Sequence, residues 1–330
     1  MGVSYMHLPT TLFNRVFCAV CICFAFNAWA KEDIPLQTNQ VPGYYRMMLG
    51  DYEVTALYDG YTTIGNKLLK NITTKDLKKL LQQAFIDNSN TEVKTAINGF
   101  LINTKDQLIL VDTGASNCFG ENSGKLEDNL KAAGYSPDQV TVILLTHLHP
   151  DHACGLVKDG KRVFQNAMLY VNQAEAGYWL NHKLEEAATE DKKNIFKLAQ
   201  SAVAPYQAAN KFKTFTDQLP ITTIKLMAST GHTPGHMSYL VSSKGQSLLI
   251  MGDIIHSHAV QFRYPDVAID YDSNPKQAIA SRKKLLTYAV RNKLWLAGAH
   301  LPFPGIGHVI KEGNGYEWIP IEYSPIEATK

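Results

Sequence analysis

The chain has 330 residues, of which 45% are hydrophobic and 19% are charged, a composition typical of a globular protein with a substantial core. That length allows one large domain or two smaller ones. The 32 basic residues nearly balance the 30 acidic ones, and no basic stripe stands out in the sequence. Because nucleic-acid binding usually depends on such a surface, we do not expect a nucleic-acid partner.

The first 30 residues have the pattern of a signal peptide. Arg15 precedes an uncharged apolar run over residues 16–26, and Ala28-Trp29-Ala30 then supplies the small residues of a cleavage site. An uncleaved membrane anchor is the alternative, but the run is short for a hydrocarbon layer of about 30 Å. We expect cleavage near Ala30, no stable membrane anchor afterwards, and a secreted or periplasmic mature chain.

Three of the five cysteines belong to that N-terminal segment, which leaves Cys118 and Cys154. Two cysteines are too few for a disulfide framework. A single bridge between them is compatible with an oxidising compartment, and the sequence leaves open whether it forms.

The first half of the mature chain is predicted to alternate strands and helices after a polar, extended arm over residues 31–45. Period-two alternation predicts strands, and apolar residues at helical spacing predict helices. The predicted elements are strands over 45–64 with turns at Gly50-Asp51 and Asp59-Gly60, a helix over 74–85 capped by Thr73 or Thr74, a hairpin of 95–103 and 107–111, and a helix over 123–133 that stops at Gly134.

The second half continues the same alternation. Its predicted strands cover residues 142–145, 167–171, 221–228, 237–241, 246–251 and 294–299, and its predicted helices cover 173–184, 186–206 and 275–292. Further strands are expected near the C-terminus, and no low-complexity linker divides the chain. We therefore predict an α+β fold in a single domain over residues 31–330, with two stacked sheets and helices outside them.

A histidine-rich loop follows the apolar strand predicted over residues 142–145. Its potential metal ligands are His147, His149, Asp151 and His152. Pro150 indicates that the chain has left the strand, so folding holds these side chains together at the end of a rigid element. Imidazoles and a carboxylate in this arrangement suit a divalent metal such as zinc. A solvated polar turn that happens to contain histidines is the alternative.

Three more potential ligands follow other predicted strands, and they are His232, Asp253 and His300. Taken alone, a single remote histidine is more often a core or capping residue. Strand ends on one edge of a sheet converge, however, so all seven side chains are expected to form one cluster. Seven ligands suit two metals that share a bridging carboxylate and a bridging water, whose lowered pKa makes hydroxide available for hydrolysis. The absence of cysteine among them argues against a closed structural zinc site.

The motif His147-x-His149-x-Asp151-His152 resembles that of the metallo-β-lactamase superfamily. Asp112-Thr113-Gly114 upstream and Gly231-His232-Thr233-Pro234-Gly235-His236 downstream occur in the same order as in that superfamily. Residues 42–46, 49–51 and 299–308 are further similar to the methyl parathion hydrolase group, and this similarity extends from about Val41 to Tyr323.

The resemblance implies an αββα sandwich, a homodimer and a dinuclear centre, with zinc as the expected metal and manganese, cobalt or iron(II) as alternatives. It assigns His147, His149 and His232 to one metal and Asp151, His152 and His300 to the other, with Asp253 bridging them. Asp112 would orient a ligand from behind, and His236 would make a structural hydrogen bond outside the ligand set.

The same group lines its substrate pocket with aromatic side chains, and Phe119, Trp179 and Phe196 stand at the matching places. The alternative is that Trp179 and Phe196 are simply apolar faces of helices. The chain departs from the group at Cys154, where relatives carry glycine, and at His256, where they carry an aliphatic residue. His256 is expected either to bind the substrate by donating to its carbonyl or phosphoryl oxygen, or to be a solvated loop histidine.

These features predict a secreted dinuclear metallohydrolase of small ester-like substrates, namely a lactone, an aryl ester or a phosphotriester. A metal-bridging hydroxide would attack the substrate, with Asp253, Asp151 and His256 as catalytic residues. An N-acyl-homoserine lactonase is the alternative within the class. Glyoxalase II and RNA-processing nucleases share the ligand motif, but no basic tail is present for their substrates. The alternative outside enzymes is a metal-binding scaffold that has lost turnover.

Overall fold

The computed structural model describes residues 1–4, 33–87 and 92–326. Most of the predicted signal peptide therefore lies outside the described residues. The chain divides into two compact units, residues 1–39 and 40–330. In the first unit, the described residues are exposed and have no regular secondary structure. The arm predicted over residues 31–45 is shorter than expected, because the first strand begins at Tyr44. Within the described ranges, no helix has both the length and the apolar composition needed to span a bilayer.

The second unit contains strands and helices in alternation. The strands are β1 (Tyr44–Leu49), β2 (Tyr52–Gly65), β3 (Leu69–Lys70), β4 (Glu92–Asn103), β5 (Leu108–Val111), β6 (Val142–Leu144), β7 (Val157–Lys158), β8 (Lys161–Arg162), β9 (Met168–Asn172), β10 (Phe212–Phe215), β11 (Ile224–Ala228), β12 (Met237–Ser243), β13 (Gln246–Ile250), β14 (Ala268–Ile269), β15 (Trp295–Ala297), β16 (Ile306–Glu312) and β17 (Gly315–Pro320). The helices are α1 (Thr74–Gln83), α2 (Leu126–Ala132), α3 (Pro150–Ala153), α4 (Gln173–Trp179), α5 (His182–Glu186), α6 (Glu190–Ala208), α7 (His258–Gln261) and α8 (Pro275–Asn292).

Two mixed sheets stack on each other. The first has the strand order β1-β2-β4-β5-β6-β9-β10, and the second has the order β11-β12-β13-β15-β16-β17. Because side chains alternate along a strand, each sheet presents one apolar face to the other sheet. In β5, for example, Ile109 and Val111 join Tyr239 and Ile250 of the second sheet in a shared central core.

The outer face of each sheet is covered by helices. Leu110 of β5 points away from the central core and packs with Phe196 of α6 and Leu130 of α2. On the other side, Leu249 of β13 packs with Leu286 of α8. Burying a side chain of this size contributes about 1.5–3 kcal/mol, so both helix layers are held mainly by apolar burial. This arrangement confirms the predicted αββα sandwich.

Local sequence signals explain the best-predicted helices. Helix α8 covers the predicted residues 275–292: the Asn274 side chain accepts a hydrogen bond from the backbone N–H of Gln277, and Pro275 occupies the first turn. Helix α1 begins after Thr73, whose side chain accepts from the N–H of Asp76. Such caps satisfy backbone donors that a helix start leaves without partners.

Two local predictions are wrong. Asp59-Gly60 is not a turn: β2 runs through it, and the register with β4 shifts between Tyr58 and Gly60, as at a β-bulge. Gly60 has a φ of +149°, and a Cβ there would collide with the carbonyl of Asn122. The helix predicted over 173–184 is broken, because the Asn181 side chain accepts from the N–H groups of Lys183 and Leu184 and starts a new helix, α5.

Candidate metal centre

The seven predicted ligands converge at one edge of the sandwich. Each follows the C-terminal end of a strand, in the loops after β6, β11, β13 and β15. They form two groups that share Asp253: His147, His149, His232 and Asp253 in the first, and Asp151, His152, His300 and Asp253 in the second. His149 and Asp151 are partly buried and the other ligands are buried. The strand-end argument therefore places all seven side chains correctly.

The distances within the first group are short. Nδ1 of His149 lies 3.0 Å from Nε2 of His232. Oδ2 of Asp253 lies 3.3 Å from Nε2 of His232 and 3.6 Å from Nε2 of His147. Because metal–nitrogen bonds to zinc measure about 2.0–2.1 Å, two ligands of a tetrahedral zinc lie roughly 3.3 Å apart. The first group has the spacing of a metal site.

The second group has the same spacing. Nε2 of His152 lies 3.1 Å from Oδ1 of Asp253 and 3.5 Å from Oδ2 of Asp151. Nε2 of His300 lies 3.1 Å from Oδ2 of Asp253 and 3.3 Å from Oδ2 of Asp151. Asp253 thus presents both of its oxygens to the second group and Oδ2 to the first, as a carboxylate shared by two cations would.

Hydrogen bonds on the outer side of the imidazoles fix which nitrogen carries the proton. Nδ1 of His152 donates to Oδ2 of Asp112, Nδ1 of His232 donates to Oδ1 of Asp272, and Nδ1 of His300 donates to the carbonyl of Ala96, each over 2.9 Å. Nδ1 of each ring therefore points outward and Nε2 faces the centre, where it can bind a metal that displaces its proton. The orientation of the three rings is the one that metal binding requires.

Buried polar atoms without partners support the same interpretation. Nε2 of His147, Nε2 of His152 and Oδ1 of Asp253 make no hydrogen bond to the described protein atoms. Buried polar atoms are rarely left unpaired, because losing water without gaining a partner is costly. A divalent cation in each group would pair them, so the residues present fit a dinuclear centre.

The charges of the centre also favour metal binding. Burial lowers the pKa of the His147 and His149 side chains well below the usual value, so both are neutral and can ligate at pH 7. Burial would raise the pKa of Asp253, but the neighbouring His152 and His300 outweigh it and hold that pKa well below its usual value. The shared carboxylate is therefore ionised.

Asp112 and His236 lie outside the ligand set, as predicted. Besides orienting His152, the Asp112 carboxylate accepts the backbone N–H and the hydroxyl of Thr146, at 2.8 and 2.9 Å. Nε2 of His236 accepts the backbone N–H of Asp253 over 3.0 Å, and its Nδ1 lies 2.8 Å from Oγ of Ser229. Burial lowers the pKa of His236 to about 3, which keeps this ring neutral and able to accept.

Sequence reasoning missed three buried charged residues that support the centre. Asp272 orients His232, as described above. The Glu175 carboxylate accepts from the N–H of Leu148, the N–H of Gly235 and the hydroxyl of Thr233, so it joins two ligand loops. Arg282 of α8 donates to carbonyls of the loop that follows Asp253. Glu175 and Arg282 could have been recognised in the sequence, because each is a charged residue on an otherwise apolar face of a helix. No local sequence pattern indicates the role of Asp272.

A cavity of about 480 Å³ opens directly above the ligands. Its apolar walls include Leu68, Phe119, Trp179, Ile195 and Leu198. The ring centroid of Trp179 lies 5.3 Å from that of His149, so an apolar group bound here would contact the metal centre. Phe119 and Trp179 both line this cavity, and their contact with substrate stays a prediction.

Phe196 does not line this cavity, which corrects the prediction for that residue. Its side chain is 1% exposed, because its position on α6 points it into the core between the helices and the first sheet. The ring lies behind Trp179, with centroids 4.7 Å apart. Phe196 supports the cavity wall rather than forming it.

His256 belongs to the metal centre and is not a solvated loop histidine. Its side chain is 4% exposed, and its ring stacks on that of His300 with centroids 5.2 Å apart. Nε2 lies 3.1 Å from Oδ2 of Asp253, while Nδ1 makes no hydrogen bond to the described protein atoms.

Cys118 and Cys154 form a disulfide. The sequence had left open whether these two cysteines are bonded.

The sandwich and its paired ligand groups are those of a metal-dependent hydrolase with a dinuclear divalent metal centre. The profile of the metallo-β-lactamase superfamily matches residues 94–300, and the chain belongs to that superfamily. An N-acyl homoserine lactonase of Bacillus cereus is 22% identical over 242 residues, or 67% of this chain and 84% of that protein. A second, from a Bacillus species, is 24% identical over the same shares.

Two solved structures are more similar. A hydrolase of the β-lactamase superfamily named AbOPH is 43% identical, with a TM-score of 0.84 over 87% of this chain and 100% of that one. The dizinc quorum-quenching lactonase AidC, solved with an N-hexanoyl-L-homoserine product, is 31% identical, with a TM-score of 0.79 over 86% and 99%.

Proposed function

We propose that this protein is a secreted dinuclear metallohydrolase that opens lactone rings, with N-acyl-homoserine lactones as the first substrates to test. The observation that carries the proposal is the pair of ligand groups sharing Asp253 at the floor of an apolar-walled cavity. The similarity to lactonases supports the choice of substrate class. Membership of the methyl parathion hydrolase group, and phosphotriester or aryl ester hydrolysis with it, is the competing proposal within the class.

The seven ligand residues form sites for two cations. His147, His149 and His232 would hold one, Asp151, His152 and His300 the other, and Asp253 would contact both. When bound, the cations lower the pKa of coordinated water and polarise the substrate oxygen. The chain itself holds the ligands in place through Asp112 and Asp272, and Trp179 and Phe119 provide an apolar wall beside them. Ring opening adds one water across the acyl–oxygen bond and yields a carboxylate and an alcohol.

The cavity suits a substrate with an apolar tail. Its walls are partly apolar, with Leu68, Ile195 and Leu198 among the lining residues, and partly polar, with Asp191, Lys192 and Asn194 among them. An acyl chain placed against Leu68, Ile195 and Leu198 would bury apolar area at about 25 cal/mol per Å². The lactone carbonyl would then be directed at the ligand groups on the floor.

The disulfide supports the proposal that the mature chain works outside the cytoplasm. Disulfides persist in oxidising compartments and are rare where glutathione keeps thiols reduced. Together with the signal-peptide pattern of residues 1–30, the bond between Cys118 and Cys154 favours a secreted or periplasmic location. The homodimer implied by the resemblance remains a prediction, which size-exclusion chromatography with light scattering would test.

A substrate panel tests the proposed function. With two zinc ions bound, the purified protein is expected to hydrolyse N-hexanoyl-homoserine lactone with a kcat/KM at least about tenfold above that for a p-nitrophenyl ester or a phosphotriester, a difference of about 1.4 kcal/mol. A higher value for the phosphotriester would replace the lactonase proposal with an organophosphate hydrolase. Two bound metals without turnover of any of these compounds would favour the metal-binding scaffold.

We further propose that His256, although it also lines the cavity, acts through Asp253 instead of contacting the substrate. Its Nε2–H donates to Oδ2 of Asp253 and so holds the shared carboxylate in place. Replacing such an outer partner typically costs 10–100-fold in metal affinity or activity. His256→Leu should therefore lower zinc affinity by roughly that factor, whereas His256→Gln, which keeps an N–H donor, should restore most of it.

Zinc affinity is measured by competition with a chelating dye, alongside kcat for the lactone. If His256→Leu binds zinc like the wild type but loses kcat, the residue contacts the substrate, which is one of the two alternatives that the sequence left open. Unchanged affinity and unchanged kcat would remove His256 from the mechanism.

A further inference from the structure

The loop over residues 113–125, here called the cavity loop, carries Phe119 into the cavity wall. Its two ends are firmly attached to the rest of the fold. The Asp59 carboxylate accepts from the N–H groups of Ala115 and Gly124 at 2.9 and 3.0 Å. Thr113 donates through both its N–H and its hydroxyl to the carbonyl of His152. These bonds fix where the cavity loop leaves and rejoins the fold.

The tip of the cavity loop, residues 117–122, is attached differently. Its backbone hydrogen bonds stay within the loop: Cys118 donates to Ala115, Gly120 to Asn117, and Ser123 to Gly120. In the described ranges, no hydrogen bond or ion pair joins the tip to another segment. The Cys118–Cys154 disulfide joins the tip covalently to the segment around Cys154. Asn122, at the end of the tip, also packs closely on Gly60 of β2. The part of the tip around Phe119 lies away from that contact and depends on the disulfide far more than the loop ends do.

The two cysteines join two functional parts of the site. Cys118 directly precedes Phe119, whose side chain is 41% exposed and is in contact with the cavity. Cys154 directly follows α3, the turn that carries Asp151 and His152. The disulfide thus connects the aromatic wall of the cavity to the segment that holds the metal ligands.

We infer that the Cys118–Cys154 disulfide is a specificity-determining feature, which positions Phe119 over the metal centre so that the apolar part of the substrate is bound. This inference rests on the proposed lactonase function. Without the bond, the tip and the Phe119 ring become ordered only when the substrate binds. The entropy lost in ordering such a side chain then weakens substrate binding. The ligands have their own hydrogen bonds, so the metal centre itself does not depend on the bond.

The expected effect is therefore on KM and is confined to substrates with a tail. Cys118→Ser/Cys154→Ser should raise KM for N-hexanoyl-homoserine lactone by about tenfold, the scale of one immobilised side chain. The kcat and the content of two zinc ions per chain should stay within about twofold of the wild type, and so should KM for γ-butyrolactone, which has no tail. Each single variant should behave like the double variant, because either change breaks the bond.

Phe119→Ala provides the matched control. If the disulfide acts by placing Phe119, then adding Cys118→Ser/Cys154→Ser to Phe119→Ala should change KM by less than about twofold, because coupled residues are not additive. An equal KM for the tailed lactone in the wild type and the double cysteine variant would overturn the inference. A tenfold increase that persists without Phe119 would also overturn it.

Hydrogen–deuterium exchange gives a readout that does not depend on turnover. Residues 117–122 should exchange faster in the zinc-loaded double variant than in the zinc-loaded wild type, while the segment around His152 should not change. Equal exchange at 117–122 would contradict the anchoring role of the disulfide. If the wild type hydrolyses no lactone, the proposed function fails, and the exchange experiment still decides whether the disulfide anchors the tip. Because Cys154 is buried, the corresponding alanine variants replace the serine pair if serine prevents folding.

Discussion

Asp253→Asn is expected to lower kcat/KM by at least about 10³-fold, because each cation supplies several kcal/mol of transition-state stabilisation and about 4 kcal/mol corresponds to that factor. Asp253 belongs to both ligand groups, and its oxygens lie 3.1 Å from Nε2 of His152 and 3.1 Å from Nε2 of His300. Asparagine has the same shape but carries no charge and has one oxygen fewer. The fold should therefore survive while both metals bind weakly.

The matched control is Asp151→Asn, which changes a ligand of the second group alone. That variant should keep one metal tightly bound, whereas Asp253→Asn should lose affinity at both sites. Metal content per chain, measured by mass spectrometry after gel filtration, separates the two results. An Asp253→Asn protein with two tightly bound metals and near wild-type kcat/KM would show that the carboxylate is not shared.

Arg282→Met is expected to lower the free energy of unfolding by about 2–6 kcal/mol, because it leaves the carbonyls of Ile254 and Pro265 without a donor and each such group costs about 1–3 kcal/mol. The Val267 carbonyl keeps a hydrogen bond from the Gln261 side chain. Arg282 is fully buried and donates to the carbonyls of Ile254, Pro265 and Val267 at 2.7, 2.9 and 2.7 Å. Burial lowers the pKa of Arg282 only to about 10, so the guanidinium stays charged at neutral pH. Methionine fills the space but donates nothing.

Lys283→Met on the same helix is the control. Lys283 is partly exposed and pairs with Asp266 at the surface, where an ion pair is worth about 0–1 kcal/mol. Urea unfolding of the zinc-loaded proteins should separate the two variants clearly. If Arg282→Met unfolds within about 1 kcal/mol of the wild type, the three hydrogen bonds do not stabilise the loop after Asp253 as described.

The sequence was most informative where a local rule determines the structure. Asn274 and Pro275 mark the start of α8 and an apolar period carries it to Asn292, so the helix follows from its own residues. The ligand cluster could also be predicted, since each ligand follows an apolar run and strand ends converge. The turn predicted at Asp59-Gly60 was wrong, although an aspartate–glycine pair usually marks a turn. Here the tight fit of Gly60 against Asn122, a residue far along the chain, makes it a bulge.

The unpredicted parts of the site depend on partners distant in sequence. Asp272 meets His232 across 40 residues, and Glu175 joins loops that are 27 and 60 residues away. The packing of α4 against α6 is likewise a tertiary effect, and it places Trp179 at the cavity and Phe196 behind it. Spacing alone also left the pairing of Cys118 and Cys154 open, because a disulfide requires proximity that only the folded chain provides.

Stepwise metal reconstitution tests the dinuclear centre most directly. The protein is stripped with a chelator and titrated with zinc, while bound metal and the rate of N-hexanoyl-homoserine lactone hydrolysis are followed together. We expect no activity in the stripped protein, two tightly bound zinc ions per chain at saturation, and full activity only when the second site fills. Undiminished activity after stripping, or full activity with a single metal per chain, would contradict a centre in which Asp253 serves two cations.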